Sequence, residues 1–226
     1  MYDHLKKVGA SFLLDKKKMY VYLARMSKIR NKDKLLADGL RVIHEQGLAG
    51  ASVRDIAAAA GVPLGSFTNY FPSKTAFGLE IIDKYREASE AMLDATLRNE
   101  ALPPLQRLRD FIDASRDILD QDNMENGCLC GNIGAEINSH TEEVRRKIVD
   151  VFGVDRHAIT ACLKAAVTHG ELSDRIDIDD LAGFIVSSLQ GAFLVAKVER
   201  SPEPVNRLKR VLFSMTLAPW IKAAAA

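Results

Sequence analysis

Residues 52–74 read SVRDIAAAAGVPLGSFTNYFPSK, and this stretch decides the fold. Ser52 followed by Asp55 is a capping-box pattern, so a helix starts at Val53. That helix is short and Ala-rich, runs to Ala60, and is ended by Gly61. After the turn Gly61-Val62-Pro63, a second short helix covers Leu64 to Phe71 and is broken by Pro72. Ser73 then caps a long helix running to about Leu97. Two short helices joined by a three-residue Gly-containing turn form a helix-turn-helix. Ile56 and Ala57 on the first can pack against Phe67 and Phe71 on the second, and Ala60-Gly61 permits close approach. Upstream, Leu36, Leu40 and Ile43 make one apolar face of a helix over 32–46, with Leu35 beside them and Gly47 as its stop. Leu40 and Ile43 close a three-helix core. Such a core holds the second short helix proud of the surface, where it can enter a DNA major groove about 12 Å wide.

Outward from this unit the chain continues as helix. Expected segments are 105–121, 128–139, 142–169, 178–199 and 203–222, with breaks at Pro103-Pro104, Asn126-Gly127, His140, Gly170 and Pro202–Pro204. Alternating β-branched runs are scarce, so the expected fold is all-α: an N-terminal three-helix DNA-binding unit (30–76) followed by a larger helical domain (77–226). Residues 1–29 show no amphipathic period despite Lys16-Lys17-Lys18, Tyr20 and Tyr22. They read as a basic extension, with 1–25 either dispensable, as an upstream start before Met26 would be, or a basic arm contacting DNA.

The 226 residues carry a net charge of +1 with 47% hydrophobic and 27% charged residues, which excludes disordered and collagen-like classes. Three Cys exclude a disulfide scaffold and point to a reducing, cytoplasmic setting. The first 25 residues lack the apolar core of a secretory signal. Leu181–Ala196 is free of charge but shorter than the roughly 20 residues of a membrane span and contains Ser187, Ser188 and Gln190. It reads as a buried or subunit-interface helix, with no membrane role. The net charge hides an asymmetry: residues 1–74 hold 13 Lys+Arg against 6 Asp+Glu, and residues 75–226 hold 18 against 24. A basic front suits a polyanion, although a solvated bias without a partner reads the same way.

Residues 32–77, with SVRDIA, AGV and NYFPSK in that order and spacing, resemble the DNA-binding domain of the TetR family of ligand-responsive transcriptional repressors. The resemblance implies that Leu64, Gly65, Ser66 and Asn69 face bases, that Tyr70 and Lys74 meet phosphate, and that Arg54 lies near the DNA backbone. Two departures stand out. Leu64 replaces a commonly basic residue and Thr68 stands where an aromatic is common, so Leu64–Phe71 carries no charge. Base reading would then rest on close approach at Gly65, hydrogen bonds from Ser66 or Asn69, and methyl contacts from Leu64 or Thr68 to thymine. Phosphate attraction would come from Lys74, Arg54 and Lys28, Arg30, Lys32 and Lys34.

No GxSxG, P-loop, GxGxxG or HExxH occurs in 75–226, so no enzyme and no cofactor is expected. The segment 127–132, GCLCGN, resembles a short motif of TetR members that respond to small electrophiles or unsaturated acids. Cys128, Cys130, Ile133, Glu136 and Ile137, with Phe111 and Ser115 upstream, are the candidate ligand contacts. Three readings compete for the two thiols: packing residues, a reactive thiol at a helix N-terminus, or metal binding with His140. The last matches no standard zinc spacing, and no metal site is expected. His157 and His169 read as solvated. Gly183, Ser187 and Gly191 recur every four residues and permit close helix contact. With Leu208 and Leu212 of the last helix they would form the four-helix dimer interface that the family resemblance implies, or else an intrachain core. The expected whole is a homodimer that binds a palindromic DNA operator and releases it when a small-molecule inducer enters the 105–170 region. An activator, or a constitutive DNA-binding regulator without a ligand, is the alternative.

Overall fold

Caps and breakers, rather than a sheet, divide this chain. The computed structural model describes residues 16–222, and the expectations for residues 1–15 lie outside them. Among the described residues there are nine α-helices and no strand; one isolated bridge, Leu172 to Ile221, ties down the C-terminal end.

The first helix, α1 (Lys16–Gly50), begins well before the expected start at Lys32. Residues 16–31 lack Pro and Gly and hold four Lys, two Arg and two Met, all good helix formers, so nothing in them stops the helix from starting early. At Gly47 the backbone leaves helical geometry (φ 78°), as its position predicts, and one further turn carries the chain to Gly50. The helices α2 (Val53–Ala59) and α3 (Leu64–Tyr70) are the two short ones. The capping box forms in full: Asp55 N–H donates to Ser52 Oγ, and Ser52 N–H donates to Asp55 Oδ2, both at 3.1 Å. Ser73 caps α4 (Lys74–Ala95), accepting from Ala76 N–H at 3.0 Å.

Beyond it come α5 (Pro104–Asp120), α6 (Leu129–Ala135), α7 (Glu142–Thr168), α8 (Ile178–Glu199) and α9 (Glu203–Val211). Two expected helices are shorter than their sequence periods. The segment 128–139 ends α6 at Ala135 and continues as one 3₁₀ turn, Ile137–Ser139. The segment 203–222 leaves α9 at Val211 for a π turn, Leu212–Thr216, and a 3₁₀ turn at Ala218–Trp220, where Pro219 cannot continue an α-helix.

Two apolar cores result. In the first, α5, α7, α8 and α9 close on Leu108, Phe111, Ile159, Leu163, Ile185 and Leu189. Leu212 is 1% exposed inside this core and Leu208 is partly buried against it, which is the intrachain packing that stood as the alternative to an interface role. In the second, the rings of Phe67, Phe71 and Phe77 meet at centroid distances of 4.8–5.2 Å. This core extends past residue 76: Leu129, Cys130 and Ile133 of α6 and Val144, Ile148 and Val151 of α7 belong to it.

Candidate nucleic-acid interface and effector cavity

The phenylalanine triad determines which face of α3 is outside. With Phe67 buried at 2% exposure, Leu64, Gly65, Thr68 and Asn69 are thrown outward, and Ser66 and Tyr70 lie at the flanks. Leu64 is 47% exposed, a large apolar side chain on an uncharged outer face. At Gly65 a Cβ would meet nothing within 4 Å, so the backbone of this helix can be approached closely. Thr68 Oγ1 donates to the Gly65 carbonyl at 3.1 Å, so its hydroxyl proton is already used within the helix. Arg54 and Lys34 are exposed. Lys32 is instead paired with Glu80 at 2.7 Å and lies over the Phe71 ring at 5.5 Å.

Lys74 has a structural duty that the sequence did not reveal. Its ammonium donates to the carbonyls of Ala49 (2.9 Å) and Ala51 (3.0 Å), which tethers the end of α1 to the start of α4. One of its three donors remains for another acceptor. Lys74→Ala should destabilise the fold by about 1 kcal/mol, the scale of a half-solvated charged hydrogen bond, which thermal unfolding would read. An unchanged melting temperature would remove the tether from the account.

The second site is a cavity of about 120 Å³ lined by α4, α5, α7 and α8 and the start of α6. Phe111, Ser115, Cys128 and Cys130 line it, as expected. Ile133, Glu136 and Ile137 do not. Ile133 and Ile137 pack into the core of the DNA-reading unit. Glu136 Oε2 accepts from Ala49 N–H at 2.7 Å and pairs with His140 Nε2 at 3.1 Å. These three residues bind the two halves together because the helix stops at Glu136. His140 is thereby turned to Glu136 instead of the thiols, and no metal-capable cluster occurs among the described residues. His157 and His169 are exposed.

Sequence reasoning missed Tyr85, Asp155 and Gln190, which also line the cavity. They come from three helices with no common spacing. Cys128 is the N-cap of α6: its Sγ accepts from Gly131 N–H at 3.4 Å and from the Tyr85 hydroxyl at 3.7 Å. Burial pushes the Cys128 thiol up, and the hydrogen bonds from Gly131, Tyr85 and Gln190 only partly oppose it. Burial also raises Cys130, Tyr85 and, to about 11, Cys162. All three thiols therefore stay protonated at neutral pH. Iodoacetamide at pH 7.5 should label Cys128 more slowly than free glutathione, as mass spectrometry would show; faster labelling would mean a stabilised thiolate.

Asp155 is raised to about 6, first by burial and then by Glu90. The folded state therefore holds this proton more tightly than the unfolded chain. Its ionisation lowers stability as pH rises from about 4 to 6, with a constant penalty above. Asp155→Asn should raise the melting temperature at pH 8, and the gain should vanish near pH 4. An equal gain at both values would show that charge is not the cause.

His44 joins the cavity to the reading unit. Its Nε2–H donates to the Gly127 carbonyl at 2.7 Å, and its ring meets the Tyr85 ring edge-on at 6.3 Å. Burial lowers its pKa, which keeps the imidazole neutral.

A helix-turn-helix whose outer face is free, joined to an apolar cavity in a second helical layer, defines a DNA-binding regulator. The chain belongs to the TetR family: residues 35–81 match the bacterial regulatory proteins of that family, and residues 104–212 match the tetracyclin repressor-like C-terminal domain. It is 32% identical to the HTH-type transcriptional repressor DhaR of Mycobacterium sp. (strain GP1), over 85% of this chain and 95% of that protein. It is 33% identical to the transcriptional regulator AcuR of Cereibacter sphaeroides, over 78% and 80% respectively. The crystal structure of a regulatory protein TetR from Rhodobacter sphaeroides superposes with a TM-score of 0.77 at 32% identity, covering 80% of this chain and 95% of that one. TetR-family regulators are non-enzymatic, soluble transcription factors that bind operator DNA, carry a ligand-binding C-terminal domain and act as dimers.

Proposed function

We propose that this chain is a cytoplasmic homodimeric repressor that leaves a palindromic operator when a small molecule fills the cavity. Residues 30–76 are the reading head and 77–226 the ligand-binding and dimerisation part. On α3, Ser66 and Asn69 donate to or accept from base edges, Gly65 permits close approach, and Leu64 and Thr68 contact thymine methyls. Arg54, Tyr70, Lys34 and the remaining donor of Lys74 meet phosphates; the side chains of Lys28 and Arg30, expected to join them, lie outside those the structure describes.

The dimer forms on the outer side of α8. Gly183, Ser187 and Gly191 lie there beside Phe184, Leu194 and Val198, which are 49%, 62% and 76% exposed. Val211 and Met215, 41% and 69% exposed, take the places expected of Leu208 and Leu212. Among the described residues α8 is also the one helix long and apolar enough to cross a membrane, and a partner helix accounts for that exposed apolar side equally well.

The observation that carries the reading is the wall shared by cavity and head. Tyr85 lines the cavity and touches His44 of α1, while the carbonyl that His44 holds belongs to Gly127, next to Cys128. A ligand that displaces Tyr85 or Cys128 therefore disturbs the seat of the head. Two heads must meet groove faces about 34–36 Å apart, and a ligand favouring another separation lowers operator affinity by its differential affinity for the two states. A constitutive regulator has no need of such a cavity. The test is genomic selection of DNA with purified protein, followed by anisotropy titration of the selected operator with and without candidate ligands. Enrichment of no sequence, or operator affinity insensitive to every compound that binds the cavity, would overturn the reading.

A further inference from the structure

The effector cavity has one charge on its wall and no counter-charge. Asp155 of α7 lines it without a hydrogen-bond or ion-pair partner among the described residues. No Lys, Arg or His lines the cavity. Cys128, Cys130 and Tyr85 are all held in their neutral forms by burial. Asp155, raised to about 6, is ionised above that pH and is then the single charge there. Asp155 is half-buried, so its carboxylate is only partly hydrated and gains by pairing with a cation. An anionic ligand would find no partner and would meet Asp155. A cation supplies the missing half of the pair.

The rest of the wall suits an organic cation. Tyr85, Phe111, Phe152 and Phe193 contribute aromatic rings, whose negative faces attract ammonium groups most strongly where water is excluded. Gln190 and Ser89 add neutral oxygens. The Ser89 hydroxyl donates to the Tyr85 carbonyl at 3.1 Å, which leaves its lone pairs to accept. An ammonium has three donors, enough for Asp155 and two such acceptors. Size sets the other limit. The cavity measures about 120 Å³. An apolar protein cavity of about 150 Å³ holds benzene, so a ligand seated wholly inside has about four to six non-hydrogen atoms.

We propose that the cavity is a receptor for a small primary alkylammonium ion, its charge on Asp155 and its carbons among the aromatic rings. The proposal rests on the reading of the cavity as the effector site.

Isothermal titration of the full-length protein with n-butylammonium, butan-1-ol and butyrate tests it, because the three differ mainly in the head group. Butylammonium should bind at least tenfold more tightly than butanol, and butyrate should give no binding. In Asp155→Asn, butylammonium should lose at least tenfold in affinity, with circular dichroism confirming the fold. Butanol or butyrate binding as tightly as butylammonium, no binding of butylammonium, or an unaltered affinity in the folded variant would each overturn the proposal. Operator anisotropy separates the two readings. Butylammonium that binds through Asp155 without releasing DNA supports the ligand class and removes the effector role. Butyrate that binds and releases DNA does the opposite.

Discussion

Phe77→Ala should lower the melting temperature by about 10 °C and abolish operator binding near physiological temperature. Phe77 is fully buried, and its ring lies 5.1 Å from that of Phe67 and 4.8 Å from that of Phe71. Truncating a buried Phe costs about 3–5 kcal/mol, and here two aromatic pairs are lost with it. At about 2–4 °C per kcal/mol for a chain of this size, the fall is large. The surroundings cannot collapse into the space easily, because Gly39 already lets α1 pack so close that an added Cβ would sit 2.4 Å from Phe77 Cζ. Phe67, which turns the outer face of α3 outward, would lose its backing. Thermal unfolding and operator anisotropy read the two effects. A fall below about 3 °C would mean that the triad does not hold the reading helix.

Leu194→Glu should convert the protein to a monomer and weaken operator binding at least a hundredfold. Leu194 is 62% exposed on α8, so a single subunit tolerates the change within the small range of surface substitutions. Across a two-fold interface the same change buries two like charges without partners, which is strongly unfavourable. Each head then binds alone, and the gain from tethering two heads at a fixed spacing disappears. Gly191→Leu should act in the same direction, since a Cβ at Gly191 meets nothing within 4 Å in the single chain and clashes only with a second copy. Analytical ultracentrifugation decides: a fully dimeric Leu194→Glu protein would move the interface off this side of α8.

The reading unit was legible because its signals are local. Ser52 with Asp55, Gly61, Pro63, Pro72 and Ser73 act within a few residues of themselves, and each does in the fold what its chemistry predicts. Phe77 was passed over because it lies one turn into the next helix, outside the motif it supports. The end of the chain misled for a different reason. An α-helical period puts Leu208 and Leu212 on one stripe, but periodicity does not say whether a stripe faces a partner or the chain's own core, and here it faces the core. Val211 and Met215 come out, and Leu212 goes in. Helical spacing likewise grouped Ile133, Glu136 and Ile137 correctly as neighbours but carried no information on which half of the molecule they face. The cavity was legible only in part, because Tyr85, Asp155 and Gln190 converge from α4, α7 and α8 and leave no pattern along the chain.

The second core has a bearing on how such regulators diversify. Because Leu129, Cys130, Ile133, Val144 and Ile148 share it with α1 to α4, the reading head is not a portable cassette. Cutting at residue 76 would strip an apolar floor from the head and leave a greasy scar on the remainder. A chimera that gives this head a new sensor must carry α6 and the first half of α7 across with it. Substitutions behind the cavity that reshape this floor would disturb the head, whereas the outer face of α3 can change without touching it.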